Sequence, residues 1–346
     1  MKYLQDFGYV SPGELNNNRG SEGGFDPIND AIKKFQVFAH LPVTGKLDVT
    51  TKKKMAKKRC GMQDVEMITN RGGTSQFKWD KSLIKYSIHN FSPDLSSSRQ
   101  RDAVRRAFQT WSAVIPIRFE ETSGTADINI IFASGSHGDP WPFDGRGGVL
   151  AHATMPKDGK LHFDESENWA LGPEDANKIE TSRYTDLYPV TVHEIGHTLG
   201  LPHSKVEDSI MAPFYQETVE NGVYIMPRLK SDDIRAIQAI YGSGRGEETN
   251  FGSRNGGRNG GSNSDNWDWP FSPRESSSNK GREDRFLDKI FSSGRGEETN
   301  FGSRNGGRNG GSNSDNWDWP FSPRESSSNK GREDRFLDKI FSKWLG

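Results

Sequence analysis

The sequence predicts an α+β domain set between two unlike segments, a small helical one in front and a polar, repetitive one behind. Three observations carry this. From Trp79 onward, apolar residues switch between strand-like alternation and helical spacing. A histidine-rich run near residue 195 reads as a helix that ends in a glycine turn. Residues 243–292 recur without a substitution as residues 293–342, in a composition too polar to build a core.

The elements follow in order. In the front segment, residues 1–73, Ala31, Ile32, Phe35 and Phe38 recur at helical spacing. The turn Leu41-Pro42-Val43-Thr44-Gly45-Lys46-Leu47-Asp48 then leads into a second helix, apolar and basic. The polar stretch Asn70-Arg71-Gly72-Gly73-Thr74-Ser75 reads as a linker open to proteolysis, and Lys57-Lys58-Arg59 is a second cleavable run. In residues 74–242, Ile84, Tyr86 and Ile88 alternate as a strand, and Ala103, Val104, Ala107, Phe108 and Trp111 mark one helical face. Ile115, Ile117 and Phe119, then Ile128, Ile130 and Phe132, alternate again. The last helix opens at Ser231-Asp232-Asp233, with Ser231 as the capping hydroxyl, and buries Ile234, Ile237 and Ile240 before Gly242.

Charge and composition exclude several functions. The 46 basic and 47 acidic residues nearly cancel, so bulk charge does not point to nucleic acid, and no apolar run is long enough to cross a bilayer. Cys60 is the one cysteine, which rules out an intrachain disulfide. The first residues, Met1-Lys2-Tyr3-Leu4-Gln5-Asp6, lack the apolar stretch of a signal peptide. Asn90-Phe91-Ser92 is a weak glycosylation sequon, with Pro93 behind it.

The histidine run carries the chemistry. His193 and His197 stand four apart and share a helix face; Glu194 lies beside that face; Gly200 allows a turn that returns His203 as a third nitrogen donor. Three neutral imidazoles suit zinc and leave a fourth position for water, the pattern of a catalytic site. A second donor group lies between Gly135 and Trp169, where His137, Asp139, His152 and His162 provide three imidazoles and a carboxylate, enough for a closed tetrahedral zinc site.

The run His193-Glu194-Ile195-Gly196-His197-Thr198-Leu199-Gly200-Leu201-Pro202-His203, with Met211 downstream, resembles the metzincins, and Ser204 directly after the third histidine resembles the matrix metalloproteinases among them. The resemblance implies a twisted mixed sheet above an active-site helix, a helical propeptide over residues 1–73 and a secreted zymogen that hydrolyses polypeptides, among them extracellular matrix proteins. In that mechanism zinc activates a water whose proton passes to Glu194 and on to the leaving amine. Met211 becomes an apolar floor under the zinc ligands, and Pro213-Phe214-Tyr215 a wall of the specificity pocket. Gly148-Val149-Leu150-Ala151-His152 becomes the edge strand that receives substrate.

Further residues fit the same resemblance. Lys58-Arg59-Cys60-Gly61-Met62-Gln63-Asp64 resembles the cysteine switch, with Cys60 as fourth zinc ligand and Arg59 paired with Asp64. Lys58 and Gln63 stand where the family has prolines, which predicts a less rigid loop and leakier latency. His137, Asp139, His152 and His162 match the structural zinc ligands. Asp144, Asp164 and Glu167, with the carbonyls of Gly145, Gly147 and Val149, resemble a calcium loop, and Asp127 is a further calcium ligand. The stretch from Ala153 to Leu161 is shorter than the family's glycine-rich loop, and Lys160 replaces its usual acid.

Residues 243–346 read as a largely disordered tail of two copies. Each has a Trp-Asp-Trp patch (Trp267-Asp268-Trp269 and Trp317-Asp318-Trp319) and a short apolar helical spacing, at Phe286, Leu287, Ile290 and Phe291 and again at Phe336, Leu337, Ile340 and Phe341. No haemopexin-like repeat is evident. These patches suit a tail-mediated docking partner, and the composition equally suits an inert spacer. The alternative reading is a non-catalytic binding protein, stabilised by zinc and acting through this tail; an intact Glu194 argues against it.

Overall fold

The computed structural model describes residues 1–16, 26–65 and 77–244. The linker Asn70–Ser75 and both tail copies, with their tryptophan patches, lie outside the described residues.

Among the described residues the front segment holds four helices, α1 (Lys2–Asp6), α2 (Pro12–Asn16), α3 (Pro27–Phe38) and α4 (Val49–Met55). At the start of α3, Asp26 accepts from the Ile28 N–H and Pro27 takes a first-turn position whose N–H would have no helical partner. Asp48 caps α4 in the same way, and Lys52, Lys53 and Lys54 fill its last turn, where the carbonyl end of the helix favours cations. The predicted stripe Ala31, Ile32, Phe35 and Phe38 lies in the core of this segment, together with Tyr3, Leu4, Phe7, Tyr9 and Val10. Sequence patterning gave those first residues no role, because α1 is too short to show a period.

The main sheet has six strands in the order β1 (Arg59–Cys60), β5 (Val149–Ala153), β6 (Lys160–Asp164), β4 (Ile128–Ala133), β2 (Leu83–Ile88), β3 (Arg118–Glu121). It is mixed: β5 runs antiparallel to β6, and the other pairings are parallel. Helix α5 (Ser97–Ser112), capped by Ser96, crosses from β2 to β3 and buries the predicted face Ala103, Val104, Ala107, Phe108 and Trp111. The strand predicted from Ile115 begins only at Arg118. Pro116 lacks the N–H a ladder needs, so Ile115 and Ile117 are buried without joining the strand.

Two short pairs complete the fold, β7 (Trp169–Ala170) with β8 (Thr185–Asp186), and β9 (Val219–Glu220) with β10 (Val223–Tyr224). The second is a hairpin inside the long 216–229 loop, turned by Asn221 and Gly222, both at positive φ. A single turn, α6 (Ala176–Ile179), precedes the buried helix α7 (Leu187–Thr198), and α8 (Ser231–Tyr241) closes the described chain. Ser231 is the first residue of α8 rather than its cap. Lys230 takes the cap position, and the Asp233 carboxylate accepts from its N–H at 2.7 Å.

Candidate metal centres and active site

Every residue of α7 is buried, which lets it carry donors into the interior. Its first turn is fixed by Asp186, which accepts from the Tyr188 N–H. Trp111 on α5 donates its indole N–H to the Val192 carbonyl at 2.9 Å. Gly196 is needed for packing: a Cβ there would collide with the Met211 sulfur, so this glycine admits the methionine beneath the histidines. Gly200 has φ +103°, and a side chain would collide with the Phe77 carbonyl. The chain therefore turns at Gly200 and brings back His203.

His193, His197, His203 and Cys60 present donor atoms that all lie within 4.8 Å of one another. His193 and His197 approach Nε2 to Nε2 at 3.0 Å, and Cys60 Sγ lies 3.5 Å from His197 Nε2. Each histidine has its other ring nitrogen committed. His193 Nδ1 faces Ile210 O at 2.7 Å, His197 Nδ1 faces Leu201 O at 2.7 Å, and His203 Nδ1 faces the Asp64 carboxylate at 2.8 Å. An Nδ1–H spent in this way leaves the Nε2 lone pair for the common centre. Burial pushes all three imidazoles toward the neutral form, His193 down to about 3. His203 Nε2 is buried with no hydrogen-bond partner. A neutral donor set with one orphaned lone pair fits a zinc ion.

Glu194 lies beside this cluster, fully buried, with the Cys60 thiol facing its carboxylate, and burial raises its pKa to about 8. A cation at the centre would favour the ionised carboxylate, the form that can take a proton. The Cys60 thiol is also pushed up, first by burial and then by Glu194. A cation at the centre would reverse that preference and favour thiolate.

The loop that carries Cys60 is tied down by a buried network. Arg59 donates to Asp64 at 2.7 Å, to the Tyr3 hydroxyl at 2.7 Å and to the Cys60 carbonyl at 3.1 Å, and it lies 3.4 Å over the Phe7 ring. Asp64 also accepts from the Tyr9 hydroxyl at 2.5 Å. Burial alone would raise the Asp64 pKa; the Arg59 charge and the His203 bond hold it below its ordinary value. Lys58, in a proline position, donates to Thr185 Oγ1 at 2.9 Å and to the Ser182 carbonyl at 3.2 Å.

The edge of β5 is covered by the same loop. Arg59 N–H donates to Gly148 O and Gly61 N–H to Ala151 O, each at 2.8 Å, while Cys60 N–H reaches Pro213 O at 2.9 Å on the opposite side. A cleft of about 470 Å³ opens beside it, lined by Leu150, Val190, His193, Glu194, Pro213, Tyr215 and Ile225 among others. Phe214 packs with the front segment, its ring 6.4 Å from that of Phe35. The Met211 turn is held from α8: buried Asp233 accepts from Ile210 N–H at 3.0 Å, Met211 N–H at 3.1 Å and the Ser209 hydroxyl.

The second cluster is complete in itself. Asp139 Oδ2 lies 3.1 Å from His137 Nε2, 2.8 Å from His152 Nε2 and 2.9 Å from His162 Nδ1. His152 and His162 are opposite one another in the β5–β6 register. These two clusters are the described groups of three or more His, Cys, Asp or Glu donors gathered within 4.8 Å. The oxygen loop is looser. Glu167 accepts from the Gly147 N–H, Asp144 Oδ1 from the Val149 N–H at 3.1 Å, and Asp164 Oδ1 from the Ser166 N–H at 2.8 Å. Asp164 Oδ2 and Glu167 Oε2 are buried with no donor, and burial raises both pKa values. Buried acid oxygens without donors fit a hard cation.

The Asp127 carboxylate, a further expected calcium ligand, pairs with Lys81 Nζ and accepts from the Lys85 N–H at 2.8 Å. Sequence reading missed a different acid. Glu165 is half-buried with Oε2 unpartnered, its pKa raised by burial and by Asp94. Its place inside Asp164-Glu165-Ser166-Glu167 was the available signal.

Residues 78–242 match the Matrixin family. Curated relatives include Matrix metalloproteinase-C of Caenorhabditis elegans, 51% identical over 255 residues, which span 71% of this chain and 44% of that protein. Macrophage metalloelastase of Oryctolagus cuniculus is 42% identical over 219 residues, 62% of this chain and 44% of the relative. Matrix metalloproteinase-16 of Homo sapiens is 39% identical over 267 residues, 69% and 40%. The chain thus spans less than half the length of these relatives.

Proposed function

We propose, from the membership of residues 78–242 in the matrixin family, that this chain is a zinc-dependent endopeptidase of extracellular proteins, secreted and kept latent by residues 1–73. The observation that carries the reading is the meeting of three imidazoles, each with Nδ1 spent, with one thiol and one buried carboxylate. His193, His197 and His203 would hold the zinc, which when bound supplies a Lewis acid for the peptide carbonyl and for water. Glu194 takes a proton at its carboxylate and returns it to the leaving amine. The β5 edge and the Pro213–Tyr215 segment align an extended substrate by main-chain hydrogen bonds. Cys60 occupies the fourth position until the front segment leaves.

His137, Asp139, His152 and His162 hold a second, structural zinc in this reading. Asp144, Asp164 and Glu167, with the carbonyls of Gly145, Gly147 and Val149, hold calcium. No described helix is long and apolar enough to cross a membrane. The domain division at 74 and 242, and a docking partner for the tail, belong to the same proposal. Incubating the chain with a peptide library before and after limited proteolysis, with and without a zinc chelator, tests it. Chelator-sensitive cleavage that appears after proteolysis is expected; cleavage indifferent to the chelator contradicts it.

A further inference from the structure

Resting on the peptidase reading above, we propose that the recess filled by the Lys58 ammonium becomes a substrate subsite selective for lysine or arginine once the front segment leaves. The recess already holds the ligand it would select. Lys58 Nζ lies 2.9 Å from Thr185 Oγ1 and 3.2 Å from Ser182 O, with Tyr184 O at 3.5 Å and the Tyr215 ring 6.0 Å away. Burial in the recess disfavours its charge and Arg146 opposes it, while the carboxylates of Glu167 and Glu217 act in its favour. Two carbonyls and a hydroxyl, with acids nearby, suit a group that only donates. An acidic side chain would meet acceptors and like charge.

The backbone explains why a substrate side chain would arrive there. Residues 58–60 run between two edges, with Tyr215 N–H donating to Lys58 O at 2.9 Å, Cys60 N–H to Pro213 O at 2.9 Å and Arg59 N–H to Gly148 O at 2.8 Å. Those groups are the ones a substrate strand would use. Side chains two apart on an extended segment point the same way, so Cys60 reaches the histidines while Lys58 enters the recess. A substrate in this groove therefore puts a side chain about two positions from the scissile bond, on one side of it, into the vacated recess.

The test uses the full chain after limited proteolysis, alongside the same preparation of Glu194→Ala. The probes are peptides bearing Lys, Arg, Leu or Glu at each of the three positions on either side of one scissile bond. Calorimetric affinities for Glu194→Ala and kcat/KM for the unmutated protein are measured. A preference for Lys and Arg over Glu of roughly tenfold or more is expected at one position, the scale of a charge-assisted hydrogen bond. Glu217→Gln and, separately, Thr185→Val should each shrink that ratio.

Binding that does not distinguish Lys from Glu overturns the subsite, as does a preference that neither variant moves. Cleavage without any basic preference overturns the subsite and leaves the peptidase reading standing. Basic preference in binding without cleavage supports the subsite and overturns the peptidase reading.

Discussion

The two histidine clusters use the same number of donors but are closed in opposite ways. In the second, His137, Asp139, His152 and His162 come from one loop and two paired strands, and a single carboxylate oxygen touches all three rings. In the first, three donors sit on α7 and the turn after it, while the fourth is Cys60, 137 positions before His197. Its neighbour Asp64 also supports His203. One centre is closed by neighbouring strands and a loop. The other is closed by a separate segment, and the proposed latency rests on that difference.

Removing Glu194, the proposed proton carrier, should have the largest effect. Glu194→Ala is expected to lower peptide cleavage by about 10²–10⁴-fold while leaving two zinc ions per chain; unchanged turnover, or zinc lost along with activity, breaks the assignment. Ligand removal should then separate the clusters. His197→Ala is expected to lose one zinc and all cleavage with a modest fall in Tm. His162→Ala should lose the other zinc with the larger fall in Tm, because that ion ties β5 and β6 together. Metal analysis with thermal unfolding checks both, and equal destabilisation would erase the distinction.

The latch gives smaller effects. Cys60→Ser should make the uncut chain cleave peptides at least roughly tenfold faster than the parent, since a neutral hydroxyl is a poor zinc ligand. An equally silent mutant would show that the thiol does not seal the site. Lys58→Ala should raise the background only a few-fold, the scale of losing its hydrogen bonds. If that background fell, Lys58 would be loosening the loop, as expected from the loss of a proline, rather than holding it.

Much of the α7 site was legible because its donors are local: a four-residue spacing, one glycine and one further histidine set His193, His197 and His203. The Ala103–Trp111 face and the strands at Ile84 and Ile128 showed equally clear periods. What could not be read depends on contacts between distant residues. Asp64 under His203, Asp233 behind the Met211 turn and Lys58 in the 182–185 loop are pairings across 139, 22 and 127 positions. The Lys81 partner of Asp127 was unreadable for the same reason, since it is a tertiary neighbour with no motif of its own. Ser231 failed as a cap by one residue, within the usual uncertainty of a helix end.

The most direct test of the central claim, that Cys60 closes the first cluster and leaves the second untouched, is zinc-edge X-ray absorption on the full chain before and after limited proteolysis. One sulfur shared over the two zinc ions, at about 2.3 Å, is expected in the uncut chain and none afterward. Purely nitrogen and oxygen coordination in the uncut chain, or sulfur that persists after proteolysis, would contradict the account.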